Sequence, residues 1–207
     1  MSRITLLTLS VMIAAAGSAA GEDDARGRSR AFALFGGSMT TMTRDGGDEA
    51  FSVNFRRGLN GAAGLEHPVT DDIAVQLRVS YNQNGAALTS SQMDTDIFWE
   101  FDYFEFSALT QIGNGLFHGL VGASMGVAWG CSISTRHPGY DETTDCMGSE
   151  AGDIGTLDFG LHAGIGTPEW NRMFVNVIYT EGLQNTVNPG VPGRNRSIRF
   201  LLGIYVN

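Results

Sequence analysis

The stretch around Ser124 has the residue types and spacing of a catalytic motif. Residues 120–130, LVGASMGVAWG, contain a Gly-x-Ser-x-Gly pattern, and Asp158 and His162 follow it. Serine hydrolases with this motif hold the nucleophile on a sharp turn between a strand and a helix, with the acid and the histidine later in the chain. Here the alternation of apolar residues runs on to Trp129 without a turn or a helix start. The elbow geometry is therefore missing, and Ser124 is predicted to be a small residue on a strand, with no catalytic residue expected.

Acidic residues outnumber basic ones, 22 to 13, and every basic residue is an arginine. A net charge of -9 argues against nucleic acid as a partner. The acids gather in polar stretches such as residues 44–50 and 141–153, but none has the ordered spacing of a calcium loop. We expect neither a metal ion nor a cofactor.

The first twenty residues have the features of a cleavable secretory signal. Arg3 precedes an apolar run over residues 4–16, and small residues end at Ala20. We expect a signal peptide over 1–20, a short segment over 21–30 and one domain over 31–207. In an exported chain the two cysteines, Cys131 and Cys146, are predicted to form a disulfide.

Strands rather than helices are predicted throughout the mature chain. In residues 73–84, IAVQLRVSYNQN, apolar and polar residues alternate strictly, which is typical of a strand with one apolar face. The same period of two recurs in segments that give eight strands: 31–42, 51–66, 73–84, 97–109, 121–130, 157–166, 173–183 and 198–206.

The connections between these strands alternate in length. Three are tight, at residues 70–72, 113–115 and 168–171, whereas four are longer and polar, at 44–50, 86–96, 132–155 and 185–196. Short turns at one end and long loops at the other are typical of an outer-membrane barrel. The fold predicted is all-β, an eight-stranded antiparallel up-and-down transmembrane β-barrel, with both termini at the short-turn end and the disulfide in the longest outer loop.

The direction of the two faces separates a membrane barrel from a soluble one. A lipocalin-like barrel turns its apolar face inward around a ligand, whereas a membrane barrel turns it toward lipid. The polar faces carry small residues such as Gly160 and Gly164, and the apolar faces carry bulky ones such as Trp129 and Phe200. An arginine such as Arg78 would cost about 2–4 kcal/mol if it faced lipid at mid-depth. We therefore predict that the apolar faces point outward.

These patterns together resemble a known family. The signal peptide, residues 64–85 (GLEHPVTDDIAVQLRVSYNQNG), 101–113 (FDYFEFSALTQIG), 157–166 (LDFGLHAGIG), 177–186 (VIYTEGLQNT) and 198–207 are similar to PorT-like outer-membrane β-barrel proteins, which share the architecture of small OmpX/OmpA-type barrels. The resemblance implies a fold but carries over no catalytic residues. Such barrels commonly end on an aromatic residue, whereas this chain ends Tyr205-Val206-Asn207.

The strand period also places seven polar residues on the inward side, where buried charges must be paired. We predict that they form a polar network bracing a narrow lumen: Arg56, Glu66, Arg78, Glu105, Asp158, His162 and Arg199.

The function predicted is a non-catalytic outer-membrane protein of a Gram-negative bacterium, with a structural or interaction role and a narrow, polar, plugged lumen. Its expected partners are outer-membrane lipids and, during biogenesis, the barrel assembly machinery. Two alternatives stay open at this point. One is a lipid-modifying barrel enzyme that uses Ser124 and His162, and the other is a soluble exported barrel that binds a hydrophobic ligand.

Overall fold

The computed structural model describes residues 28–43, 52–90, 94–146, 157–185 and 193–206. The predicted signal peptide lies outside these residues. They form ten strands: β1 Arg30–Met42, β2 Ser52–Asn54, β3 Arg56–Pro68, β4 Ile73–Ser90, β5 Thr95–Ile112, β6 His118–His137, β7 Tyr140–Asp145, β8 Leu157–Gly166, β9 Met173–Asn185 and β10 Arg194–Tyr205. In the described part of the chain, no helix has the length and apolar character needed to cross a membrane.

Eight of the strands close into an antiparallel ring, in the order β1, β3, β4, β5, β6, β8, β9, β10. The first and last strands complete it, with Phe32 opposite Tyr205 at one end of the seam and Met42 opposite Asn195 at the other. The predicted eight-stranded barrel is confirmed.

Side chains alternate across the wall as the period of two predicts. On β10, Phe200 is 52% exposed on the outside, whereas Arg199 beside it is 5% exposed. Leu77 on β4 is 57% exposed and Arg78 is 5% exposed. The apolar faces therefore point outward, so the soluble barrel with an apolar lining is the wrong alternative.

The outward apolar belt has a definite outer edge. On β10 it runs from Ile204 to Ile198 and gives way to Arg196, and on β9 it gives way to Glu181. Asp102 on β5 and Arg57 on β3 mark the same change. Polar groups begin where a membrane barrel meets the headgroup region.

Tight turns join the strands at the opposite end of the ring. The β3–β4, β5–β6 and β8–β9 connections cover residues 69–72, 113–117 and 167–172. Gly113, Asn171 and Arg172 have positive φ angles of 99°, 52° and 66°. β1 begins and β10 ends at this end, which short turns identify as the periplasmic side.

At the other end, five strands form a sheet that projects past the ring: the outer parts of β4, β5 and β6 together with the short strands β2 and β7. We predicted loops over residues 86–96 and 132–155, and this is wrong in part, because β4 reaches Ser90 and β6 reaches His137. The β6–β7 hairpin turns at Pro138-Gly139, where Gly139 has a φ of 83°. Both faces of this hairpin meet water, so no apolar alternation marked it.

Candidate functional site: the barrel interior

The centre of the barrel holds an ion pair that spans the lumen. Arg199 on β10 donates from its two terminal nitrogens to the two carboxylate oxygens of Glu105 on β5, at 2.7 and 2.8 Å. β5 and β10 are not neighbours in the ring. Both residues are buried, so this two-pronged contact ties opposite walls of the barrel together.

His162 on β8 extends this central group. Its Nε2 lies 3.9 Å from Glu105 Oε1, and its Nδ1 lies 2.9 Å from the Thr180 hydroxyl oxygen. The Ser80 hydroxyl reaches Glu105 Oε1 at 3.4 Å from the other side. Three of the predicted interior residues, Glu105, His162 and Arg199, are thus brought together.

Arg78 lies in the same layer but has a different kind of partner. Its Nε donates to Gln76 Oε1 at 3.1 Å, and its guanidinium lies 5.6 Å from the centre of the Phe32 ring. Among the described residues, no carboxylate is within ion-pair distance of it. We expected a charged partner for Arg78, but the Gln76 side-chain amide accepts its hydrogen bond instead.

Glu66 belongs to a cluster at the periplasmic mouth, which Gln76 connects to Arg78. It accepts hydrogen bonds from Arg30 at 2.6 Å, from Tyr205 at 2.8 Å and from Gln76 at 2.8 Å. The Arg30 guanidinium lies 3.9 Å from the centre of the Tyr205 ring. This cluster joins the beginning of β1 to the end of β10 beside the seam of the ring.

The remaining two predicted residues lie nearer the outer end. Asp158 is half-buried and accepts from the Asn195 amide at 2.9 Å. Arg56 forms an ion pair with Glu100 and donates to the Asn84 carbonyl oxygen at 3.2 Å. The seven residues are thus spread along the barrel axis in groups, of which those of Arg78 and Glu66 are joined through Gln76.

Polar partners such as Gln76, Thr180 and Asn195 were not among the predicted interior residues. Gln76 and Thr180 have the inward parity of their predicted strands, whereas Asn195 fell in the predicted loop over 185–196. That parity was the available signal.

We had expected a polar interior, but part of it is apolar. Aromatic and aliphatic side chains fill part of it, with Phe32, Phe174 and Tyr205 in mutual ring contact and Leu109 and Leu120 buried against the same cluster. Small inward-facing residues leave room for these large side chains, since Gly64 lies against the Phe32 ring and Gly203 against the Phe174 ring. The interior is therefore packed in part by apolar side chains and in part by ion pairs.

Two small cavities remain beside the central ion pair, each of about 20 Å³. Glu105 and Arg199 border both of them. A volume of this size holds about one water molecule. Gly126, Gly160 and Gly182 line one cavity, and a Cβ at Gly160 would lie 3.0 Å from the Ser124 hydroxyl oxygen.

Within the residues that the structure describes, Ser124 has no catalytic partners. Ser124 is 8% exposed inside the barrel and its backbone pairs with that of Gly160 in a continuous strand. His162 contacts Thr180, and Asp158 contacts Asn195. No hydrogen bond from Ser124 to His162 occurs in the described residues, and the same residues contain no cluster of side chains able to hold a metal ion.

The disulfide Cys131–Cys146 is present and joins β6 to the residue after β7, with a Cα–Cα distance of 5.2 Å. We expected it in an outer loop, but Cys131 lies within β6. Both cysteines are buried against Phe101 and Tyr103 near the outer mouth. The bond thus fastens the base of the projecting sheet to the barrel interior.

Comparison with known proteins gives one family match. The family model described as "Outer membrane protein beta-barrel domain" matches residues 20–188, which include nine of the ten strands. No curated protein matches the chain.

Several solved structures have a similar shape. Neisserial surface protein A gives a TM-score of 0.50 at 10% identity and covers 86% of this chain and 98% of its own. Ail of Yersinia pestis gives 0.47 at 14% identity, covering 86% and 99%. OprG of Pseudomonas aeruginosa gives 0.43 at 12% identity, covering 88% and 97%. At such identities the likeness to the first of these concerns the fold alone.

Proposed function

Because the chain belongs to the outer membrane protein β-barrel domain family, we propose that it is a non-catalytic outer-membrane protein that contacts partners outside the cell through its projecting sheet. The observation that carries this proposal is the extension of β4, β5 and β6 past the apolar belt, where β2 and β7 add to them. All six residues of β7 are exposed, and they include Asp141, Glu142 and Asp145. Membership of the PorT-like group stays a prediction from the sequence patterns.

A closed lumen is part of the same proposal. The central ion pair, the apolar cluster around Phe32 and the buried disulfide occupy successive parts of the interior. An eight-stranded barrel has an interior just wide enough for side chains. A protein of this kind would act through its outer surface rather than by passing solutes.

Protease treatment of intact cells tests the surface role. The sheet contains the exposed Arg136, so trypsin added outside is expected to cut there and to leave the barrel in the membrane. An Arg136→Gln variant is the control that should lose this particular cut. Cleavage only after the cells are opened would contradict the proposal.

Binding by the projecting sheet is tested with a variant that keeps the barrel. Asp141→Asn/Glu142→Gln/Asp145→Asn removes the acidic charges of β7, and adherence of expressing cells to a cationic surface should fall relative to the unmodified protein. Equal adherence would argue against a role for this sheet.

Ion conductance tests whether the lumen is closed, and lipid A mass spectrometry tests whether the protein is catalytic. Planar bilayers containing the protein should show no steady ion conductance, and stable open channels would overturn the closed lumen.

Mass spectrometry of lipid A from cells with the unmodified protein and with Ser124→Ala should give the same species. A change that depends on Ser124 would favour the lipid-modifying enzyme.

A further inference from the structure

Asparagine followed by glycine occurs three times in the chain, and the structure places the three pairs in different surroundings. Asn60-Gly61 lies within β3 and Asn84-Gly85 within β4, whereas Asn114-Gly115 lies in the turn between β5 and β6. The first two asparagines are each 6% exposed. Both residues of the third pair are exposed. The pairs therefore share a sequence but not an environment.

An asparagine can react with the backbone of the residue that follows it. The backbone nitrogen of that residue attacks the side-chain amide carbon, a cyclic imide forms, and the amide nitrogen leaves as ammonia. Water then opens the ring at either carbonyl carbon and gives aspartate or isoaspartate. The net change replaces the side-chain NH2 by OH and needs no reactant other than water. Glycine favours the attack because it has no Cβ to crowd the nitrogen and lets the backbone adopt many conformations.

The attacking nitrogen is accessible at the third pair. Among the described residues, no acceptor takes a hydrogen bond from the Gly115 N–H. A Cβ built at Gly115 would meet no described atom within 4 Å, so the turn has space to rearrange there. The Asn114 amide makes an exposed contact from its Nδ2 to the Asp71 carbonyl oxygen at 3.3 Å. Neither group is buried, so water reaches the reacting atoms.

The two strand pairs lack this freedom. Gly61 is paired with residues of both neighbouring strands, and Gly85 is paired with Glu100. Side chains in a strand stand roughly perpendicular to the sheet, which keeps them away from the backbone nitrogen that follows. Asn60 and Asn84 must therefore leave the ladder before they can react, and such local opening costs free energy.

We propose that Asn114 is a site of spontaneous deamidation in the folded barrel, through attack by the Gly115 nitrogen. The product places a carboxylate where the amide donor of Asn114 lies. The hydrogen bond to the β3–β4 turn is then lost, and the new charge has the same sign as Asp71 and Asp72 on that turn. The periplasmic end of the barrel therefore gains negative charge and loosens between these two turns as the protein ages.

Peptide mapping of the full barrel in lipid vesicles tests this inference. The protein is incubated in mildly alkaline buffer and digested with chymotrypsin, which cuts between Asn84 and Asn114, for example after Phe106. Water enriched in heavy oxygen during the incubation marks product formed before digestion, because the new oxygen comes from that water. Product should accumulate at Asn114 at least about tenfold faster than at Asn60 and Asn84, the factor for a ladder-opening free energy of about 1.4 kcal/mol.

Gly115→Ala tests whether the neighbouring nitrogen is the attacking group. The added methyl group meets no described atom, so the fold should be kept while the rate at Asn114 falls toward that at Asn60. The matched control is Gly119→Ala, which adds the same group on β6 at 3.8 Å from the Ile112 carbonyl oxygen and follows no asparagine. Its rate at Asn114 should equal that of the unmodified protein, and heat-dependent migration on a gel verifies that each variant is folded.

Three outcomes would overturn the proposal. Equal rates at the three pairs would show that the strand ladder gives no protection. An Asn114 peptide that stays unchanged would show that the turn holds the amide away from the nitrogen. An unaltered rate in Gly115→Ala would mean that water hydrolyses the amide directly.

Discussion

Glu105 and Arg199 depend on each other inside the barrel, since each supplies the other's charge partner at 2.7 and 2.8 Å. Removal of one partner leaves a buried charge uncompensated, which costs about 3–5 kcal/mol. We expect Glu105→Gln to lower the free energy of unfolding by that amount, measured by urea titration in lipid vesicles. The double variant Glu105→Gln/Arg199→Met should recover much of the loss.

The control for this prediction is an ion pair on the projecting sheet. Arg136 and Asp141 lie 3.7 Å apart with side chains 63% and 65% exposed. Such pairs contribute about 0–1 kcal/mol, so Asp141→Asn should change stability little. Equal losses of unfolding free energy for Glu105→Gln and Asp141→Asn would show that the interior ion pair stabilises the barrel no more than the exposed one.

The direction of a single side chain is also testable at this scale. Leu77 lies in the middle of the apolar belt and faces outward, whereas Gln83 lies on the same face of β4 at its outer edge. Leu77→Arg should cost about 2–4 kcal/mol and Gln83→Arg about 0–1 kcal/mol, because the penalty falls with distance from the bilayer midplane. The measurement is unfolding in vesicles, and a reversed order would contradict the assigned depth.

Among the strands, β6 and β7 are held together by a covalent bond as well as by backbone pairing. For the short loop closed between Cys131 and Cys146, chain entropy predicts a stabilisation of about 3 kcal/mol. Cys131→Ala/Cys146→Ala should lower the unfolding free energy by roughly this amount and make β7 more sensitive to proteases. Unchanged protease sensitivity would mean that pairing along Ser132–His137 suffices to hold β7.

The strands that cross the membrane were predictable because one face of each meets lipid and the other meets the lumen. β10 shows this well, since Ile198, Phe200 and Leu202 alternate with inward residues. β7 was not predictable in this way, because the whole of YDETTD is exposed. Only the Pro138-Gly139 turn marked it, and a turn alone does not identify the strands beside it.

For the whole molecule, a closed ring of backbone pairing predicts resistance to detergent at room temperature. We expect an unheated sample to migrate differently on a gel from a boiled one, because the ring keeps its compact shape until heat opens it. Leu120→Asp introduces a charge into the buried apolar cluster and should lower the temperature of the change. Identical migration with and without heating would argue against a closed barrel.

The interior contacts show the limit of sequence reasoning at this scale. The period of two tells which side of the wall a residue occupies, and it placed Glu105, His162 and Arg199 inside. It does not give the stagger between strands, so it cannot pair Glu105 with a residue across the lumen. The prediction of a polar lumen was also wrong at Phe32, a large apolar residue that lies inside the barrel, where small residues face it.

The seam between β1 and β10 has a consequence for the order of folding. Phe32 and Tyr205 meet from opposite ends of the chain, so the ring closes only when almost the entire sequence is in place. Contacts between such distant residues form late, because they close the largest loop the chain can make. Until then, two sheet edges present unpaired backbone groups that favour aggregation. Whatever delivers this chain to the membrane must shelter both edges until the last strand arrives.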